Sequence, residues 1–220
     1  GLNAPAKDEE ETVSSALVQN YARIDIAFEQ GEGSHLIAEN GKRYLDFTCG
    51  IGVTSLGHSN ARVTNTLKEQ ADKVWHVSNL YNIEPQAQLA ERLTTTSFAD
   101  RAFFCNSGGE AVEAALKMAR IFHSSRGDKE RYRVLTFANA FHGRTLATIS
   151  AGGQAKHLEG FGPRVDGFDQ VRLNDLDAVK AAIGPATAAI LIEPVQGEGG
   201  VHVADAVFLK GLRALCDANE

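Results

Sequence analysis

From residue 78 onward, short apolar runs alternate with stretches of helical spacing, and this rhythm restricts the fold more than anything else in the sequence. Alternating strands and helices argue for a mostly parallel sheet covered by helices on both faces, a three-layer αβα domain of the α/β class. Helices are expected over 85–94, 109–122, 143–150, 176–183 and 205–218, and strands over 102–105, 133–138 and 188–192. The unbroken apolar run at 188–192 predicts a strand buried on both faces. In the helix over 85–94, Leu89, Ala90 and Leu93 should face inward. In the helix over 109–122, Ala111, Ala114, Ala115 and Ala119 form a small face suited to close packing, and Glu113 and Lys117 stand in the favourable i, i+4 order.

The first third of the chain reads differently. Residues 1–12 form a charged, disordered start, and 13–20 a short helix. Runs at 34–38 and 43–47 flank Asn40-Gly41, a strong hairpin signal. Helical spacing over 61–75 puts Val63, Leu67, Ala71 and Val74 on one face. The resulting division is an N-terminal arm (1–20), a segment of a small α+β domain (21–75) and the first part of a large domain (76–220).

Composition narrows the function. A formal net charge of −6 over 220 residues argues against nucleic acid and acidic membranes as partners. No apolar run approaches the ~20 residues of a membrane helix. Cys49, Cys105 and Cys216 are odd in number and far apart, and the seven histidines do not cluster, so neither a disulfide framework nor a metal site is expected. The acidic run at 8–11 has the wrong charge for a secretory or organellar leader.

The segment 102–111 reads as strand, glycine turn and helix start. Ser107 is a good N-cap, and Glu110 completes a capping box. Gly108 and Gly109 let a ligand approach backbone N–H groups at the positive end of a helix dipole, which suits a phosphate. An ordinary capped turn fits the same residues. Neither Gly-Lys-Ser/Thr nor Gly-x-Gly-x-x-Gly is present here, which excludes a P-loop and a dinucleotide crossover. Two further polar, glycine-containing loops, 139–145 and 193–200, follow predicted strands, so all three should open onto the carboxyl edge of the sheet, where ligands bind.

These three loops, in this order and spacing, resemble the class III aminotransferases that use pyridoxal phosphate, and the match runs from about residue 21 to the end. Gly50-Ile51-Gly52-Val53, Leu56-Gly57-His58, Ser78-Asn79-Leu80-Tyr81 and Glu84-Pro85-Gln86 are similar to the acetylornithine-type branch. The resemblance implies the large domain of fold type I, with pyridoxal phosphate as cofactor. Ser107, Gly108 and Gly109 would then hold the phosphate, although Thr or Ala is common where Gly109 stands. Phe141 would stack on the pyridine ring, or serve as a core aromatic. His142 would flank the ring or satisfy a backbone group. Glu193, ending a buried strand, needs a partner. Glu198 resembles the carboxylate that pairs with a second, downstream arginine and switches between substrates; either glutamate also reads as a solvated loop carboxylate. Arg144 would grip the substrate carboxylate through its planar fork, where the alternative is a surface arginine. Tyr21 would help hold that carboxylate or anchor the arm. Gln196 reads as structural.

In the family, the carboxylate on the pyridine nitrogen and the Schiff-base lysine lie beyond the position of Glu220, and none of the nine lysines here stands in a matching context. The expectation is therefore an N-terminal part of a longer enzyme, inactive alone and lacking the C-terminal part of the fold. The implied reaction transfers an amino group from N2-acetyl-L-ornithine to 2-oxoglutarate, giving N-acetyl-L-glutamate 5-semialdehyde and glutamate, in a homodimer. The implied compartment is the cytoplasm of a bacterium, or the mitochondrial or plastid matrix of a eukaryote. Transaminases for ornithine, succinylornithine or 4-aminobutyrate are the alternatives within this chemistry. A non-catalytic cofactor-binding fragment is the alternative outside it.

Overall fold

The structure, a computed structural model, describes residues 16–219. They fall into two compact units that meet at Ala87–Gln88, twelve residues later than the boundary read from the sequence. The disordered start and most of the arm lie outside the described residues; residues 16–20 form no helix.

In the first unit, β1 (Phe28–Glu32), β2 (His35–Ala38) and β3 (Arg43–Leu45) form an antiparallel sheet in that order. The β2–β3 turn runs through Asn40, whose Oδ1 accepts from the Lys42 N–H at 3.0 Å, and Gly41 at φ +78, a geometry that favours glycine. Next comes α1 (Cys49–Gly52), a left-handed turn in which Ile51 sits at φ +61, a genuine outlier for a β-branched residue. Asp46 holds this turn. Its Oδ1 accepts from the N–H groups of Thr48 and Cys49, and its Oδ2 lies 2.7 Å from His58 Nε2. Helix α2 (Ala61–Ala71) is capped by Asn60 and stops before Val74. The unit boundary falls within α3 (Glu84–Thr95), where Leu89 and Leu93 stay 48% and 44% exposed rather than facing inward.

The second unit contains α4 (Gly108–Ser124), β4 (Arg133–Phe137), α5 (Leu146–Gly152), α6 (Ala155–Leu158), β5 (Phe168–Val171), α7 (Leu176–Ala182), β6 (Thr187–Ile190), the short pair β7 (Val195–Gln196) and β8 (His202–Val203), and α8 (Ala206–Ala218). A parallel sheet runs in the order β5-β4-β6. Alternation along β4 builds the three layers. Val134 packs with Leu116 of α4, Ala151 of α5 and Phe168 on one face. Leu135 and Phe137 pack with Val179 of α7 and with Phe208 and Leu212 of α8 on the other.

Four expectations fail here for physical reasons. Residues 101–105 form no strand, because no described strand runs beside them to supply a ladder. β6 is only half-buried, because it lies at the edge of the described sheet while β4 takes the centre. The alanine face of α4 is not the packed one: Ala111 and Ala115 are exposed, and Val112 and Leu116 turn inward, where larger side chains bury more apolar area. Glu113 bonds across to Thr145 rather than along the helix to Lys117.

Candidate active site

Three loops converge at the carboxyl end of β4. The first opens α4. Ser107, with extended backbone, accepts the Glu110 N–H on its Oγ at 3.2 Å. The Glu110 carboxylate reaches back to the N–H and side-chain amide of Asn106, at 2.8 and 2.9 Å, one residue beyond the N-cap that a standard capping box would use. The N–H groups of Gly108 and Gly109, in the first turn, have no acceptor within the helix. A Cβ at Gly108 would meet nothing within 4 Å. No protein atom therefore demands a glycine there; open space in front of free donors does.

The second loop passes against the first. Gly143 sits at φ +128, and a Cβ on it would lie 2.8 Å from the Gly109 Cα and 2.9 Å from Thr148 Oγ1. Only glycine permits both the conformation and the approach. Thr145 then caps α5 in a reciprocal capping box with Thr148, and its hydroxyl donates to the Glu113 carboxylate of α4. Between Gly143 and Thr145 stands Arg144, exposed, with its guanidinium carbon 5.5 Å from the centroid of the Phe141 ring. The His157 ring stands nearly perpendicular to the same ring, with centroids 5.9 Å apart.

The third loop is tied to the second by four contacts. The Phe141 N–H donates to Glu193 Oε2 at 2.9 Å. Gln196, buried, donates to the Ala138 carbonyl at 2.9 Å. Gln154 donates to Glu198 Oε2 at 2.7 Å and to the Ala140 carbonyl at 3.1 Å. A Cβ at Gly199 would overlap the Asn139 carbonyl oxygen. Lys156 Nζ lies 3.1 Å from Glu198 Oε1.

Ser107, Gly108, Gly109, Val112, Phe141, His142, Gly143, Arg144 and Thr145 line a cleft of about 620 Å³. A smaller cleft of about 340 Å³ lies over Asn139, Gln154, Lys156 and Glu198. Among the described residues no lysine lines the larger one. Tyr21 belongs to the first unit, where its ring lies 5.8 Å from the Arg23 guanidinium; the cleft is wholly within the second.

Electrostatics differ across the site. Burial lowers the pKa of His142, which stays neutral, and its Nε2 has no hydrogen-bond partner. Burial also raises Glu193, opposed by the Phe141 N–H. The Gln154 hydrogen bond, then Lys156, lowers Glu198 and keeps it anionic. The site thus offers free N–H donors for an anion, a flat ring, a guanidinium beside that ring and a fixed carboxylate. The sequence did not point to Gln154, Lys156 or Glu113 as part of this assembly, since each acts on a partner at least 32 residues away.

The sequence profile of the family described as Aminotransferase class-III matches residues 16–220. Relatives include the acetylornithine aminotransferases of Agrobacterium fabrum, 56% identical over 94% of this chain and 52% of that protein, and of Mesorhizobium japonicum, 59% identical over 92% and 51%. Among solved structures, an ornithine aminotransferase from Toxoplasma gondii, whose description reports partial occupancy of PLP at its active site, aligns with a TM-score of 0.87 at 30% identity. That alignment covers 93% of this chain and 49% of that one. The N-acetylornithine aminotransferase of Stenotrophomonas maltophilia aligns at 0.75 and 36%, over 90% and 50%. The chain spans about half the length of the relatives it matches.

Proposed function

The chain belongs to the class-III aminotransferase family, and from that premise we propose that the protein carrying it transfers the side-chain amino group of N2-acetyl-L-ornithine to 2-oxoglutarate, with pyridoxal phosphate as cofactor. The products are N-acetyl-L-glutamate 5-semialdehyde and L-glutamate, a step of arginine synthesis. The observation that carries this reading is the contact between α4 and the 139–145 loop. It sets two free N–H groups, the Phe141 ring and the Arg144 guanidinium around one cleft. Relatives at 50–59% identity named acetylornithine aminotransferase favour this donor over ornithine, succinylornithine or 4-aminobutyrate.

The residues fit the cofactor. Gly108 and Gly109 present backbone donors at the positive end of a 17-residue helix, a setting that binds phosphate without a side chain. Phe141 offers an apolar face to a conjugated ring. When bound, the cofactor supplies the electron sink for moving the amino group. Arg144 holds a substrate carboxylate through two parallel N–H donors. Its guanidinium carbon lies 5.5 Å from the centroid of the Phe141 ring, which puts the clamp next to the ring face offered to the cofactor. Neutral His142 offers a ring nitrogen for a hydrogen bond without adding charge. The proximity of Glu193 to the Phe141 backbone fixes the height of the ring. Glu198, anionic and tied to Lys156, is the carboxylate with which a second cation would pair until the second carboxylate of a dicarboxylate substrate takes that cation over. Two copies are expected to assemble, as implied by the family.

The test is glutamate production by the purified protein from 2-oxoglutarate and each of the four donors at matched concentration. The reading expects the highest kcat/KM with N-acetylornithine. A higher value with ornithine, succinylornithine or 4-aminobutyrate moves the substrate assignment. No turnover with any donor, alongside reversible pyridoxal phosphate binding, makes the protein a cofactor-binding module.

A further inference from the structure

We propose that Glu113 is a positioning residue for the substrate carboxylate, acting through Thr145 to fix Arg144. The inference rests on the reading of Arg144 as the carboxylate clamp. Gly109 and Glu113 stand one turn apart on α4 and so share a face. Both touch the same loop: Gly109 packs on Gly143, and Glu113 accepts the Thr145 hydroxyl proton. The residue between the two fastened positions is Arg144.

The proton inventory makes the bond directional. Thr145 Oγ1 has one hydrogen and two lone pairs. It receives the Thr148 N–H at 3.3 Å as the cap of α5. The same oxygen also lies 2.9 Å from Thr148 Oγ1, which can donate to it; because the ionised Glu113 carboxylate only accepts, the contact with Glu113 takes the Thr145 hydrogen and is charge-assisted. The Thr145 N–H is itself taken by Thr148 Oγ1 at 2.9 Å. Backbone motion at Thr145 is therefore blocked from α5 and from α4 together. Arg144, exposed and with a long flexible side chain, starts from a fixed root, so less of its freedom is lost when it grips a carboxylate. Because Glu113 and the Gly108–Gly109 donors sit on one helix, the anion cradle and the carboxylate clamp keep a constant separation. A bare i, i+4 pair with Lys117 does none of this.

The experiment measures, on the holoenzyme, the Kd of glutarate (an unreactive dicarboxylate) by calorimetry, the Kd of pyridoxal phosphate, and KM and kcat for 2-oxoglutarate. Glu113→Ala should weaken glutarate and raise KM roughly 10-fold, since small misplacements of a positioning group are amplified in binding geometry. Its kcat should stay within about twofold and its pyridoxal phosphate Kd should not change. Glu113→Gln keeps an acceptor and should recover most of the loss. Thr145→Val removes the same bond together with the α5 cap, so it should weaken glutarate at least as much as Glu113→Ala and carries the test if that variant does not fold, while Thr145→Ser keeps both bonds and should recover most of the loss. Arg144→Lys separates the two levels. If it weakens glutarate while Glu113→Ala and Thr145→Val do not, the positioning role is wrong and the clamp stands. If it leaves glutarate binding untouched, the clamp itself is wrong and the inference falls with it.

Discussion

Replacing Gly108 by alanine separates what the fold needs from what the ligand needs. The new Cβ meets no atom within 4 Å, and Gly108 is the first residue of α4. Alanine there loses less backbone entropy on folding than glycine, so the ligand-free protein should gain about 0.5 kcal/mol or remain unchanged. If the phosphate sits over the Gly108 and Gly109 N–H groups, with an oxygen within about 2.9 Å, the methyl group intrudes on the open space at the cradle. Losing one charge-assisted hydrogen bond removes about 1.5–3 kcal/mol of binding, which is roughly a 10- to 150-fold rise in Kd. The assay pairs a thermal melt of the ligand-free protein with a pyridoxal phosphate titration followed by cofactor absorbance. An unchanged Kd would refute the cradle and leave an ordinary helix cap. A lowered melting temperature of the ligand-free protein would refute the claim that the space is open.

Other substitutions probe neighbouring joints. Gly143→Ala adds a strained φ of +128 and a contact at 2.8 Å with the Gly109 backbone, together about 2–5 kcal/mol, so chemical denaturation should report a large loss where Gly108→Ala reports none. Phe208→Ala empties a core site, 4% exposed and in edge contact with Phe137 at 5.6 Å, and should cost about 3–5 kcal/mol, whereas exposed Val207→Ala should stay within about 0.5 kcal/mol in the same denaturation series. In the first unit, the hydrogen bond from His58, then that from Thr48, holds Asp46 at about 2 against an ordinary 3.8. A depressed carboxyl contributes stability above its ordinary pKa and loses it as pH falls through the folded one. Asp46→Asn should therefore melt lower than the parent at pH 7, with the gap closing between about pH 4 and pH 2; a pH-independent gap would mean the charge is not its source.

Much of the second unit was legible because its periodicities are strong. The strand at 133–138 and the helices over 176–183 and 205–218 lie within two residues of β4, α7 and α8. The hairpin at Asn40-Gly41 was legible from turn chemistry alone. Segments whose state depends on a neighbour read poorly. Residues 102–105 carry strand-forming side chains, yet a strand exists only as one side of a ladder. The helix at 109–122 is present, but its inward face follows the shape of the space over Val134 and Ala151, which no spacing rule contains.

The same division runs through the candidate site. Local chemistry determined from the sequence that Ser107 starts a helix, that Gly108 and Gly109 leave donors free, and that the loops at 139–145 and 193–200 follow parallel strands, because caps, glycines and strand ends act within a few residues of themselves; the loop at 106–109 follows no strand. Tertiary structure alone decided which groups meet. It gave Glu113 to Thr145 instead of Lys117, set Gly143 against Gly109, and placed Gln154 and Lys156 on Glu198. Each of these is a contact of a few ångströms between segments far apart in the chain. Such a contact depends on how two helices and a strand pack, and residue order carries no distance of that kind.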